Sequence, residues 1–129
     1  HFQLGFISLT ERDDISIKST QQAKKYKIAM QRNDFSTQTL LKLGFDVVLT
    51  TDIQKSYSLL LAKKVDLIID DPLYMRQMSD YLKLDPEYLN FVYKVDELNV
   101  DAYLAANKKT DINLVNALQK SFLEIQKPN

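Results

Sequence analysis

Apolar positions along the chain change their period several times, and each change predicts an element. Phe2–Thr10 (FQLGFISLT) alternates as a strand does and runs into the charged loop Glu11–Asp14. STQQAKKY carries Ser19 and Gln22 at capping-box spacing and predicts a short helix. Tyr26–Gln31 reads as a compact apolar strand. STQTLLKLG predicts a helix with Leu40, Leu41 and Leu43 inward and Gly44 just past its end. Phe45–Thr50 is the next strand. Thr51 and Gln54 repeat the capping-box spacing ahead of IQKSYSLLLAKK, whose Ile53, Tyr57, Leu60 and Leu61 share one face. Val65–Asp70 is a third strand, and Pro72 opens the helix LYMRQMSDYL because proline is accepted at the first helical position. Two further strands are expected at 89–95 and 100–107, the latter with Val100, Ala102, Leu104 and Ala106 on one side. A final helix follows Thr110 and Asp111, striped by Ile112, Val115, Leu118, Phe122 and Ile125.

The middle of the chain therefore reads β-α-β-α-β-α, with strands apolar enough to be covered on both faces. That order predicts an α/β fold with a doubly wound, mostly parallel sheet and right-handed crossovers. In such sheets ligands bind beyond the carboxyl ends of the strands, where the strand order reverses. Two loops qualify: Arg32–Asp34 and Asp70–Pro72.

Length and composition narrow the function classes. The 129 residues amount to one domain, 45% hydrophobic and 26% charged, with 2 Gly and 3 Pro. Seventeen basic residues balance seventeen acidic ones, which argues against nucleic acid as a partner. No apolar run approaches the roughly 18 residues of a membrane span. With no cysteine, disulfides, thiolate metal sites and cysteine nucleophiles are excluded. The single histidine is His1, so a histidine triad or a multi-histidine metal site is not expected. No cofactor, metal or catalytic residue is expected, and the chain is not read as an enzyme. Its abrupt start at HFQLGF is read as that of a piece of a longer protein.

Each candidate for chemistry carries two readings. In QRNDFST, either Asp34 or Ser36 caps a helix while Arg32 is solvated, or the loop presents free helix N–H groups to an anion. It is no phosphate loop, having no glycine and no following Lys-Ser/Thr pair. Asp70 and Asp71 end a strand before a proline. One of them caps the next helix, holds a ligand, or both are solvated. Neighbours at a strand end point to opposite sides of the sheet, which argues against a catalytic carboxylate pair. Tyr57, Tyr74, Tyr81 and Tyr103 fall in patterns that predict core or half-buried rings, and Tyr74, in the first turn after Asp71, also borders any pocket there. The lysine pairs at 24–25, 63–64 and 108–109 suit helix C-termini.

Residues 25–127 resemble the second lobe of the family 3, amino-acid-type extracellular solute-binding proteins of bacterial ABC transporters. The resemblance rests on Arg32-Asn33-Asp34, where the family has Arg-Gly-Ser/Thr, and on Leu43-Gly44-Phe45-Asp46-Val47. It rests further on Leu59–Lys64, on Val65-Asp66-Leu67-Ile68-Ile69-Asp70-Asp71, and on the closing DAYLAANKKTDINLVNALQKSFLEI. It implies a three-layer periplasmic-binding-protein type II lobe with one antiparallel strand. Residues 1–18 would form the crossover or hinge strand and loop, residues 19–127 the lobe, and the chain would be a fragment of a two-lobe protein.

The function so implied is binding of a small polar, amino-acid-like solute between this lobe and a missing first lobe, in the periplasm or another extracytoplasmic space. The alternative is the ligand-sensing domain of a membrane-bound signalling protein, with an enzyme on the same fold behind both. Asp71 aligns with the aspartate that binds the ligand's α-amino group, and Asn33 and Asp34 with the pair that holds its carboxylate. Arg32, Ser36 and Tyr74 complete the expected ligand-binding set. Asp34 departs from the family, since a carboxylate there repels an anionic group. The partners implied are an ABC-transporter permease or a signalling module, and an exposed lobe face suits a dimer.

Overall fold

A computed structural model describes residues 3–32 and 35–99 of the chain. The strand expected at 100–107 and the helix after Thr110 lie outside them. The described elements are β1 (Gly5–Leu9), a 3-10 helix (Thr20–Lys25), β2 (Ile28–Gln31), α1 (Phe35–Lys42), β3 (Val47–Thr50), α2 (Ile53–Leu61), β4 (Leu67–Asp70), α3 (Pro72–Tyr81) and β5 (Leu89–Lys94).

These strands form one sheet in the order β3-β2-β4-β1-β5. β2 runs parallel to β3 and to β4, whereas β1 is antiparallel to both β4 and β5. Four strands thus share a direction and β1 alone opposes it, as the family resemblance implied. β1 is not peripheral: it is a central strand with all five residues buried.

The two faces of the sheet carry separate cores, giving three layers. On one face Phe6, Ile28, Met30, Leu67 and Ile69 pack with Ala23 of the 3-10 helix and Leu40 of α1. On the other, Ile7, Ala29 and Ile68 meet Tyr57 and Leu60 of α2 and Met75 of α3. Alternate residues of β1, β2 and β4 feed opposite cores, which is why these strands read as continuous apolar runs. The edge strand β3 is different, with Val48 and Leu49 exposed.

Local chemistry sets most boundaries. Ser19 accepts from the Gln22 amide while the Gln22 side chain reaches back to the Lys18 amide, a variant of the capping box. α2 is capped by Asp52, which accepts from the Lys55 amide at 2.8 Å, and not by Thr51 as its spacing suggested. The carboxylate one position on reaches the free amide of the helix's third residue. The three α-helices end alike. Gly44, Lys63 and Lys83 take the left-handed conformation, and the amide that follows each returns to a carbonyl five residues earlier. Leu41, expected inward, is 48% exposed, because only Leu40 of that adjacent pair falls on the sheet-facing side of α1. Tyr81, expected in or beside the core, is 71% exposed at the end of α3.

Gly5 is required where β1 nears β5. A Cβ there would lie 2.3 Å from the Tyr93 carbonyl oxygen and 2.4 Å from the Phe91 ring. The pairing of β1 with β5 shifts register immediately afterwards, between Phe6 and Ile7.

Candidate functional site

The carboxyl ends of β2, β3 and β4 bring three connections to one edge of the sheet: the turn after Gln31, the turn after Thr50, and Asp70–Pro72. Because β1 runs the other way, its start also lies at this edge, with Gly5 paired to Asp70. The two loops singled out from strand order therefore belong to neighbouring strands, joined by the β2–β4 pairing.

Asp71 is the best-defined group there. It is 5% exposed and is the N-cap of α3: its Oδ1 accepts from the Leu73 amide at 2.8 Å, and Pro72 follows at the start of the helix. Its Oδ2 accepts from the Gln3 amide at 2.7 Å, across 68 residues of sequence. Both partners are neutral main-chain donors. Among the described residues no lysine or arginine forms an ion pair with Asp71. A buried carboxylate with amide donors and no cation is an electrostatically incomplete arrangement, softened by the positive end of the α3 dipole.

Asp70 has a different set of partners. Its Oδ2 accepts from the hydroxyl of Tyr57 at 2.8 Å, and its Oδ1 from the Asp71 amide at 2.8 Å. Tyr57 itself is fully buried in the core under α2. Burial first, then the Asp70 charge and the hydrogen bond to it, hold the phenol well above its ordinary pKa, so it stays a donor. The adjacent carboxylates thus do different jobs, as the alternation of side chains at a strand end requires. Tyr57 was legible as a core residue, and a tyrosine on a buried stripe implies a hydroxyl partner; which one was not legible.

The other expected site residues are less uniform. Arg32 is exposed, and its amide donates to the Thr50 carbonyl at 2.7 Å, stitching the turn after β2 to the end of β3. Asn33 and Asp34 lie outside the described residues. Ser36 is buried within the first turn of α1, one residue past the helix start. Thr37, not singled out beforehand, donates from its hydroxyl to the Gln31 carbonyl at 2.6 Å and ties α1 to the end of β2. Tyr74 is 50% exposed, and so stands at the rim. Phe35 and Leu73 add exposed apolar surface at the first turns of α1 and α3. Among the described residues no group of three or more acidic or histidine side chains is placed to hold a metal. No described helix is long and apolar enough to cross a membrane.

No family model and no curated protein matches the sequence. Solved structures do. Domain 2 of TmArgBP superposes with a TM-score of 0.57 at 15% identity, over 71% of this chain and 96% of that one. The fold is that of a periplasmic-binding-protein lobe. A histidine kinase sensor domain with similarity to periplasmic binding proteins matches this lobe with a TM-score of 0.61 at 18% identity, over 95% of this chain and 59% of that one. The solute receptor for L-cysteine of Neisseria gonorrhoeae gives 0.54 at 15% identity, over 98% and 58%. Against a whole ArgBP chain from T. maritima the lobe covers 42% of the length, with a TM-score of 0.59 at 16% identity. The chain is therefore equivalent to about one domain of these larger proteins.

Proposed function

We propose that this chain is the second lobe of a two-lobe extracytoplasmic receptor that closes on a small polar solute bearing a cationic nitrogen. The observation that carries the reading is the Asp71 carboxylate: buried, fixed by two amides, without a cationic partner among the described residues, and at the strand edge where such sheets take ligands. An ammonium group supplies the missing charge through a charge-assisted hydrogen bond. Arg32, Asn33, Asp34 and Ser36 then supply further contacts to the solute, and Tyr74 borders it. In this reading residues 1–18 bring the chain across from the first lobe and residues 19–127 build the second, with a permease or a signalling module as the downstream partner. The neighbours named above are binding and sensing proteins, one of them bound to arginine and one a receptor for L-cysteine, which supports binding rather than catalysis and an amino-acid-like solute.

The test is isothermal titration of L-amino acids into the two-lobe parent. Removing one charged hydrogen-bond partner is worth about 1.5–3 kcal/mol, so Asp71→Ala is expected to weaken the bound solute about 10- to 100-fold. Unchanged affinity sinks the assignment. A sensing role is supported by the match of the histidine kinase sensor domain over 95% of this chain. A membrane span downstream of residue 129 in the parent favours sensing, and a permease in complex with it favours transport.

A further inference from the structure

Several hydrogen bonds converge where the chain leads into β1 and out of β5. The Gln3 amide donates to Asp71 Oδ2 at 2.7 Å, and the next amide, Leu4, donates to Asn99 Oδ1 at 3.1 Å. The Leu4 carbonyl accepts from the Val95 amide at 3.0 Å and from Asn99 Nδ2 at 3.4 Å. Asn99 Nδ2 also donates to the Val95 carbonyl at 2.9 Å, which fixes the side chain against its own turn. Two consecutive amides of one segment are thus held by side chains 68 and 95 residues away.

We propose that Asp71 and Asn99 form a clasp on the segment entering β1, and that a solute cation opens the Asp71 half of it. Oδ1 is committed to the first turn of α3, and Oδ2 to Gln3, in a side chain almost without exposed surface. Each oxygen keeps a second lone pair, but the side chain is so nearly covered that a cation approaching Oδ2 competes with the Gln3 amide for it. The exchange replaces a neutral donor with a charged one, and because Gln3 is exposed its freed amide is met by water. Asn99 keeps Leu4 in place, so release stops at Gln3. Asn99 is a positioning residue: it touches no solute, yet it sets where release ends. The cation half of this inference rests on the proposed role of Asp71; the clasp itself does not.

Amide hydrogen exchange tests both halves, the first on the 129-residue chain. Asparagine caps helices as well as aspartate but offers one acceptor oxygen where aspartate offers two, so Asp71→Asn keeps the cap and loses the tether. Exchange at Gln3 is expected to rise about fivefold, the worth of one hydrogen bond of about 1 kcal/mol, with Leu73 unchanged. Asn99→Ala is expected to do the same at Leu4 and not at Gln3. Unchanged exchange at Gln3 in Asp71→Asn, or an equal rise at Gln3 and Leu73, overturns the clasp. The second arm adds L-amino acids, L-arginine and L-cysteine among them, to the unaltered two-lobe parent. Binding that speeds Gln3 exchange supports the coupling, and binding that leaves it unchanged overturns it. If none binds while Asp71→Asn still frees Gln3, the cation role of Asp71 fails and the clasp stands.

Discussion

Two aspartates bracket β4, and the ends of the sheet they guard are built differently. Asp66, at the amino end, accepts from the Lys27 amide at 2.9 Å and from Arg12 Nη1 at 2.7 Å. Arg12 also grips Asp14 with two further nitrogens, so the loop after β1 is pinned to the starts of β2 and β4. Asp71, at the carboxyl end, likewise accepts two hydrogen bonds and likewise ties distant segments together. The difference is charge. Asp66 is partly exposed and neutralised by a guanidinium, whereas Asp71 is buried and, among the described residues, has amide donors and no cation. The same residue type is a finished structural tie at one end and an open electrostatic position at the other. The closed circuit at the amino end stabilises the chain by itself; in the proposed function the carboxyl end takes its counter-charge from a solute.

The comparison breaks first at Gly5, which shares the carboxyl end with Asp71. Gly5→Ala is expected to destabilise the chain by about 3 kcal/mol, since the Tyr93 carbonyl and the Phe91 ring must both move. Urea denaturation measures it. A change under about 0.5 kcal/mol means that β5 is held to β1 loosely enough to yield, and the carboxyl end then lacks the rigidity a preformed site needs.

Next in size are the two aspartates themselves. Asp71→Ala removes a helix cap and the acceptor of the Gln3 amide, about 2 kcal/mol together. Asp66→Ala removes a partly exposed ion pair and one amide acceptor, about 1 kcal/mol. Salt separates them better than size does. Screening weakens the Arg12–Asp66 attraction, so the Asp66→Ala deficit shrinks between 0.05 and 0.5 M NaCl, while the Asp71→Ala deficit, made of amide bonds, stays level. Equal salt dependence at both positions erases the distinction between a neutralised and an un-neutralised carboxylate.

How much of this was legible in the sequence follows from range. The Ser19 cap, Gly44 past α1, Pro72 opening α3 and the buried face of α2 are local, and periodicity or spacing finds them. Thr51 with Gln54 matches the capping-box spacing, and that spacing passes over Asp52, a capping residue one position later. LLKL offers more apolar residues than one helix face accepts, so the pattern does not exclude Leu41 from the core. A cap at the aspartates before Pro72 is local and legible, whereas the bond of Asp71 to the Gln3 amide is not. Gln3, Asn99 and the Tyr57–Asp70 bond join residues whose sequence separation carries no period. The position of β1 between β4 and β5 is equally invisible locally, since a strand's own pattern states that it is covered and not by what.

The Tyr57–Asp70 bond gives the carboxyl end an alkaline limit. A phenol whose native pKa is raised stays protonated in the folded chain while the unfolded chain ionises above about 10. The unfolded state then binds fewer protons, so stability is intact below about pH 10 and falls as pH rises beyond it, by up to about 1.4 kcal/mol per unit for one such group. Tyr57→Phe lacks this slope. Urea midpoints at pH 9, 10 and 11 for both proteins check it, and parallel curves remove Tyr57 as the cause.

The smallest effect lies at the amino end and has the opposite sign. The Arg12 guanidinium, bonded to both oxygens of Asp14, holds that carboxyl below the ordinary carboxylate range. A depressed native pKa contributes stability above the unfolded value, about 3.9 for aspartate, and loses it as pH falls through the native one. Asp14 is exposed, so thermal melting is too coarse to see the change, and the side-chain carboxyl carbon observed by NMR is the proper readout. Its midpoint is expected below that of a free aspartate and to return upward in Arg12→Ala. An unchanged Asp14 midpoint in Arg12→Ala removes the guanidinium as the cause of its lowered value.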